Sequence, residues 1–216
     1  MLPVAEVLTR TDDLLNDSDR VRWTAAERIR WMNEAMGAIL TRKPSAFSNA
    51  VVVTLVAGTR QEIAGDMLLD VTRNMASDGV TPGRSVRRTD RQLLDDSDPD
   101  WHKAAQSGTI KHYTFDDRQP SQFYCYPPAI AGTKVETQQS VLPASITESA
   151  TTGNLDIGPE YLEAVVNYVC YRCNAKDSEF ASPVMAAAFY QAFEAALGNK
   201  VQTEVSASPN QPNNSV

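Results

Sequence analysis

The chain is poor in the residues and signals that most enzymes and exported proteins carry. It has two histidines, His102 and His112, and no nucleophile motif such as G-x-S-x-G that could recruit either into a triad. Walker loops and G-x-G-x-x-G fingerprints are absent, and Gly58-Thr59-Arg60 reads as a turn, not a phosphate cradle. Three cysteines without a disulfide framework suit a reducing compartment. The opening Met1-Leu2-Pro3-Val4-Ala5-Glu6 lacks the basic region and apolar stretch of a signal peptide. The longest apolar run, Val51 to Ala57, is interrupted by Thr54 and is far too short to cross a bilayer, so no membrane partner is expected. Positive charge is also in deficit: a net charge of −7 and a pI near 4.9 argue against a general nucleic-acid binder.

What is present is a globular composition, 42% hydrophobic, enough to bury a core. Apolar positions recur at helical spacing near both ends. Val4, Val7, Leu8, Thr11, Leu14 and Leu15 predict a first helix ending near Asn16. Thr24-Ala25-Ala26-Glu27 has the form of a capping box and starts a helix carrying Ile29, Met32, Met36, Ile39 and Leu40, which stops before Pro44. Near the other end, Pro159 to Ala175 carries Leu162, Val165, Val166, Val169, Cys170 and Cys173 on one stripe. After a charged break at Lys176-Asp177-Ser178-Glu179, Ser182 and Pro183 suit the start of another helix. Met185, Phe189, Phe193 and Leu197 line it and Gly198 closes it. Each stripe needs a neighbour to cover it.

Between these ends the period changes to two. Val51–Val56, Gln61–Ile63, Leu68–Val71, Ser85–Arg88, His112–Phe115, Phe123–Tyr126 and the alternating Val135, Thr137, Gln139 and Val141 predict short strands, with a small helix at Arg91–Asp96. The expected fold class is therefore α+β: a helical bundle from the N- and C-terminal helices (1–47 and 158–198) with an inserted small antiparallel β-rich subdomain (48–147). A connector (148–157) and a flexible C-terminal tail (199–216), too poor in apolar surface to order itself, complete the chain.

Three clusters invite a chemical reading. Cys170-Tyr171-Arg172-Cys173 matches C-x-x-C, but both cysteines fall mid-helix on the apolar stripe, which favours buried core over redox or zinc chemistry. Asp96, Asp98 and Asp100 alternate as in a calcium loop. Trp101 then stands where that loop needs glycine and Ser107 where it needs glutamate, so a solvated acidic loop is the reading. Asp12, Asp13, Asp17 and Asp19 fail in the same way, and no metal or other cofactor is expected. The third cluster is aromatic: Trp101, Tyr113, Phe123, Tyr124 and Tyr126 with Pro127 and Pro128. These residues suit either the core of a small β subdomain or a protein-contact surface, and composition leaves both open.

An ordered set of segments carries a resemblance. Trp23-Thr24 with Glu27 and Trp31 comes first, then Ala57-Gly58-Thr59-Arg60-Gln61, Pro82-Gly83-Arg84, Asp90-Arg91 and Pro99-Asp100-Trp101-His102. Asp116-Asp117-Arg118, Tyr124-Cys125-Tyr126-Pro127-Pro128, Tyr168, Lys176-Asp177 and Ala187–Phe193 complete it. Together, from about Leu8 to Leu197, the chain resembles the head-to-tail adaptor (connector) proteins of tailed bacteriophages. Cys125 stands where that pattern has an apolar residue, and the segment after Gly198 does not align.

The resemblance implies structural work without catalysis. The subunit would pair with itself in a ring, usually of twelve copies, docked under the portal protein and joined to a tail (nozzle or tube) protein. DNA would pass through the channel without sequence-specific binding. Trp101, Arg118, Tyr124, Tyr126, Val201, Thr203 and Val205 are the candidate partner contacts, the last three because they alternate as an added strand would. The rival readings are a tail-tube terminator or gatekeeper of the same neck and, from another class, a small hydrolase or redox enzyme. The expected location is the virion neck, after assembly in the host cytoplasm.

Overall fold

The computed structural model describes residues 1–116 and 118–207, with 199–207 by their backbone alone. In chain order the elements are β1 (Leu2–Pro3), α1 (Val4–Leu15), α2 (Ala25–Arg42), β2 (Ser48–Thr54), β3 (Gly58–Glu62), β4 (Met67–Met75), β5 (Pro82–Ser85) and β6 (Arg87–Arg88). There follow α3 (Arg91–Ser97), β7 (His112–Thr114), β8 (Gln122–Ala129), β9 (Lys134–Ser140), β10 (Asn154–Leu155), α4 (Leu162–Ala175) and α5 (Pro183–Ala207). The class is α+β. The chain divides into two compact units, one of Met1–Ala46 with the segment from Pro143 onward, the other of Phe47–Leu142.

In the first unit α4 contacts α1, α2 and α5. Its buried stripe, Val165, Val166, Val169, Cys170 and Cys173, meets a core that includes Val7, Leu8, Ile29, Met32, Ile39 and Phe193. The capping box forms: Thr24 Oγ1 accepts from Glu27 N–H at 3.3 Å and Glu27 Oε2 accepts from Thr24 N–H at 3.1 Å. Asn16 ends α1 in the left-handed region, φ 49°. A short 3-10 turn, Pro159–Tyr161, takes up the proline, so the α-helix proper starts at Leu162. On α5 the buried stripe is Ala186, Phe193 and Leu197, with Phe189 and Tyr190 half-buried. Met185, expected on that stripe, is exposed one position away from it. The helix also passes Gly198 without adopting positive φ. A glycine costs about 1 kcal/mol inside a helix, too little to end one otherwise made of good formers. The remainder of the expected tail, 208–216, lies outside the described residues. In the connector, Leu2 of β1 pairs with Leu155 of β10.

The second unit holds two four-stranded sheets, β2-β9-β4-β5 and β3-β8-β7-β6. Leu68, Val71 and Val135 of the first share one hydrophobic core with Tyr113, Phe123, Cys125 and Ala129 of the second. Buried amides bind the irregular backbone around this core. Asn74 Nδ2 donates to Arg84 O at 2.9 Å and to Ile110 O at 2.8 Å, while Asn74 Oδ1 accepts from Ile110 N–H at 2.7 Å. Gln61 closes the β2–β3 turn by accepting from Val56 N–H at 2.8 Å and donating to Val56 O at 2.9 Å. Two expectations change here. The stretch expected as one strand at Ser85–Arg88 is divided between the sheets: β5 ends at Ser85, and Val86 donates its N–H to Thr72 O before β6 leaves for the other sheet. Nor is the unit wholly antiparallel, since β6 runs parallel to β7.

Candidate partner-contact surface

The aromatic cluster is built on β8. Alternation along that strand buries Phe123 and Cys125 and leaves Tyr124 and Tyr126 half-buried on the opposite face. The 3-10 turn Trp101–Lys103 packs over this face. Trp101 lies beneath it, fully buried, its indole Nε1–H donating to Asp95 Oδ1 at 2.8 Å. Its ring stacks on His102 at 3.7 Å and meets Tyr124 and Tyr126 edge-on at 6.4 and 6.3 Å. His102 is oriented by Thr59 Oγ1, 2.8 Å from its Nδ1. The Arg91 guanidinium lies 5.6 Å from the Tyr124 ring centre.

The aromatics thus divide by burial. Trp101, Tyr113 and Phe123 are core. Tyr124 and Tyr126 are half-buried, and Trp101 packs against them on that outer face without reaching solvent. Arg118 stands apart on an exposed turn, its side chain 91% accessible. Its backbone N–H donates to Asp116 Oδ1 at 2.9 Å. Val201, Thr203 and Val205 belong to the other unit, on the last turns of α5, so the strand alternation expected of them gives way to helix.

A basic group that sequence reading passed over lies at the β6–β7 edge. Arg84, Arg87 and Lys111 are exposed and surround His112. Partial burial lowers the His112 pKa first, and these three charges push it down further. The sequence signal was the run Arg84, Arg87, Arg88 in an acidic chain. A second missed feature is β2, whose residues are exposed on both faces except for Val53. Its apolar composition had the pattern of a covered strand.

The thiols have core chemistry. Burial pushes Cys125 up to about 11 and Cys170 up to about 12, and it raises Cys173 as well, so all three are protonated near neutrality. Among the described residues no group of three or more His, Cys, Asp and Glu could hold a metal ion. None of their helices is long and apolar enough to cross a membrane. Asp100 of the acidic loop is engaged by Lys103, and Asp95 of α3 by Trp101.

The β-rich unit thus presents a half-buried aromatic pair, a basic edge and an exposed apolar strand. The family model described as SU10 adaptor protein matches residues 2–213, and the chain belongs to that family of phage head-to-tail adaptors. It is accordingly a structural protein of the phage neck. No curated protein matches the chain.

Proposed function

We propose that this chain is the subunit of a closed ring that docks beneath the portal and joins the capsid to the tail, with the genome passing through its channel. The observation that carries the reading is the reach of the family match, residues 2–213, which takes in both compact units and so makes each part of the adaptor. In this reading the helices of the two chain ends act as one bundle, the wall of the ring. The β-rich insertion, with Tyr124, Tyr126 and Arg118, reaches a neighbouring subunit or the tail protein. A ring needs unlike faces in contact, and two units of different architecture supply them.

The channel is proposed to carry little positive charge, because a wall that neutralised phosphates would hold the duplex instead of letting it slide. The net charge of −7 supports this. Arg84, Arg87 and Lys111 then face protein. The C-terminal segment 199–216 is assigned to portal attachment, and Val201, Thr203 and Val205 are the residues proposed to make that contact.

The test mixes the purified full-length chain with portal protein and weighs the products by mass photometry, with electron microscopy for shape. Closed rings, dodecameric on the portal, are expected. Isolated monomers beside free portal would overturn the reading. A gatekeeper would fail to bind portal alone and would bind only once an adaptor ring was present. Removing 199–216 should weaken attachment while the subunit keeps its melting behaviour.

A further inference from the structure

The sheet β2-β9-β4-β5 has two edges, and the chain treats them differently. The β5 edge is blunted: it is four residues long, begins at Pro82 and has the Arg84 carbonyl already bonded to Asn74. The β2 edge is seven residues long, pairs with β9 without a bulge and lies in an uncharged run from Ser48 to Val56. None of the devices that keep edge strands apart (lysine, proline, bulge or inward charge) is present. Val51 and Val52 stand 36% and 39% exposed.

The hydrogen bonds show which backbone groups are open. Val141 N–H donates to Phe47 O at 3.3 Å, Leu55 N–H to Thr133 O at 2.7 Å, and Val51 O accepts from Thr137 Oγ1 at 3.0 Å. The odd-numbered residues therefore turn toward β9. By the alternation of an antiparallel ladder, Ser48, Ala50, Val52 and Thr54 turn their N–H and C=O groups outward. Among the described residues nothing else bonds them.

We infer that this edge is an interface between two copies of the chain, β2 pairing antiparallel with β2 of the second copy about a two-fold axis through Val51. In that register Ala50 meets Val52, Ser48 meets Thr54, and every outward N–H and C=O of the strand finds a partner. Val51 faces its own copy across the axis at the closer, non-hydrogen-bonded kind of site.

Other occupants fit worse. Among the described residues the remaining edges are short or charged: β1, β6 and β10 are two residues each, and β3 carries Arg60 and Glu62 with an irregular register. The segment 208–216 contains Pro209 and Pro212, which cannot donate to a ladder. The uncharged strand also brings no like charges together at the axis. Because a two-fold contact closes at two copies, it belongs to the free protein and does not depend on the ring reading.

The experiment is sedimentation of the full-length chain without portal, for wild type, Val51→Lys, Val51→Glu and their mixture. A wild-type dimer is expected. Each charged variant alone should raise the dimer dissociation constant about tenfold or more, since like charges then face each other directly, and the mixture should restore the dimer. Unchanged circular dichroism and melting would show that both variants fold, as an exposed position allows. Val51→Cys should form an intersubunit disulfide under mild oxidation, the native cysteines being buried. A wild-type protein that stays monomeric at every concentration overturns the inference. So does a dimer indifferent to Val51→Lys, or one that Val51→Cys does not cross-link. A monomer that loses portal or tail-protein binding on Val51→Lys would assign the edge to that partner instead.

Discussion

Arg28 Nη2 lies 2.7 Å from Asp17 Oδ2, and the Arg28 side chain has no exposure to water. The same guanidinium reaches Asp12 Oδ1 through Nη1, donates to Thr11 Oγ1 at 3.1 Å and to Asp17 O at 3.2 Å. Arg20 holds the second oxygen of Asp12 at 2.8 Å. One cation from α2 thus ties down the end of α1 and the loop after it. Replacing Arg28 with Ala would leave the buried Asp17 carboxylate without its counter-charge and Asp12 with Arg20 alone. The expected loss is about 3–5 kcal/mol in urea unfolding. Arg20→Ala, at a more open pair, should cost about 1 kcal/mol or less.

The same loop makes the helical unit sensitive to acid. Burial alone would raise the Asp17 pKa, but the N–H groups of Arg22 and Trp23, the Arg28 charge and the N–H of Val21 outweigh it, and the net shift is downward. A carboxyl whose folded pKa is depressed stabilises the fold above its unfolded pKa, near 4, and loses that contribution as pH falls through the lower folded value. Stability measured against pH should therefore fall below about pH 4. Asp17→Asn should be less stable than wild type at neutrality and show a shallower decline in that window. An equal slope in the two proteins would remove Asp17 from the account.

Trp101 tests the packing over the aromatic face of β8. Asp95→Ala strands a buried indole N–H and should cost about 1–3 kcal/mol. Trp101→Phe removes donor and indole together, and adding Asp95→Ala to it should cost little more. Additive losses in that double-mutant cycle would mean that the 2.8 Å contact contributes nothing.

The three thiols should be silent in the native state. Cys125, Cys170 and Cys173 are buried and protonated, so a thiol-specific reagent at neutral pH should label none of them until denaturant is added, and then all three. Rapid labelling of the native protein would contradict the mid-helix, core placement of Cys170 and Cys173.

Much of this architecture is legible in the residue order, because local rules act over a few positions. The apolar spacing of α2 and α4, the Thr24–Glu27 box and the alternation along β8 and β9 each define an element and its inward face. Arg28 also leaves a trace, standing four residues before Met32 on the buried stripe of α2. Its partners Asp12 and Asp17 are identifiable only once α1 has folded back beside it.

Other outcomes depend on contacts between distant segments. Alternation places Tyr124 and Tyr126 on one face, but only the turn at Trp101 decides how much of that face is covered. Val51 and Val52 read as strand residues wherever they lie. Whether their strand has a neighbour on both sides or one depends on which remote backbone reaches its N–H and C=O groups, and side-chain pattern carries no record of that. Composition and spacing thus settle most of the helices and strands, and the inward faces of α2, α4, β8 and β9. Tertiary pairing alone decides that β2 is an edge and that Trp101 is buried.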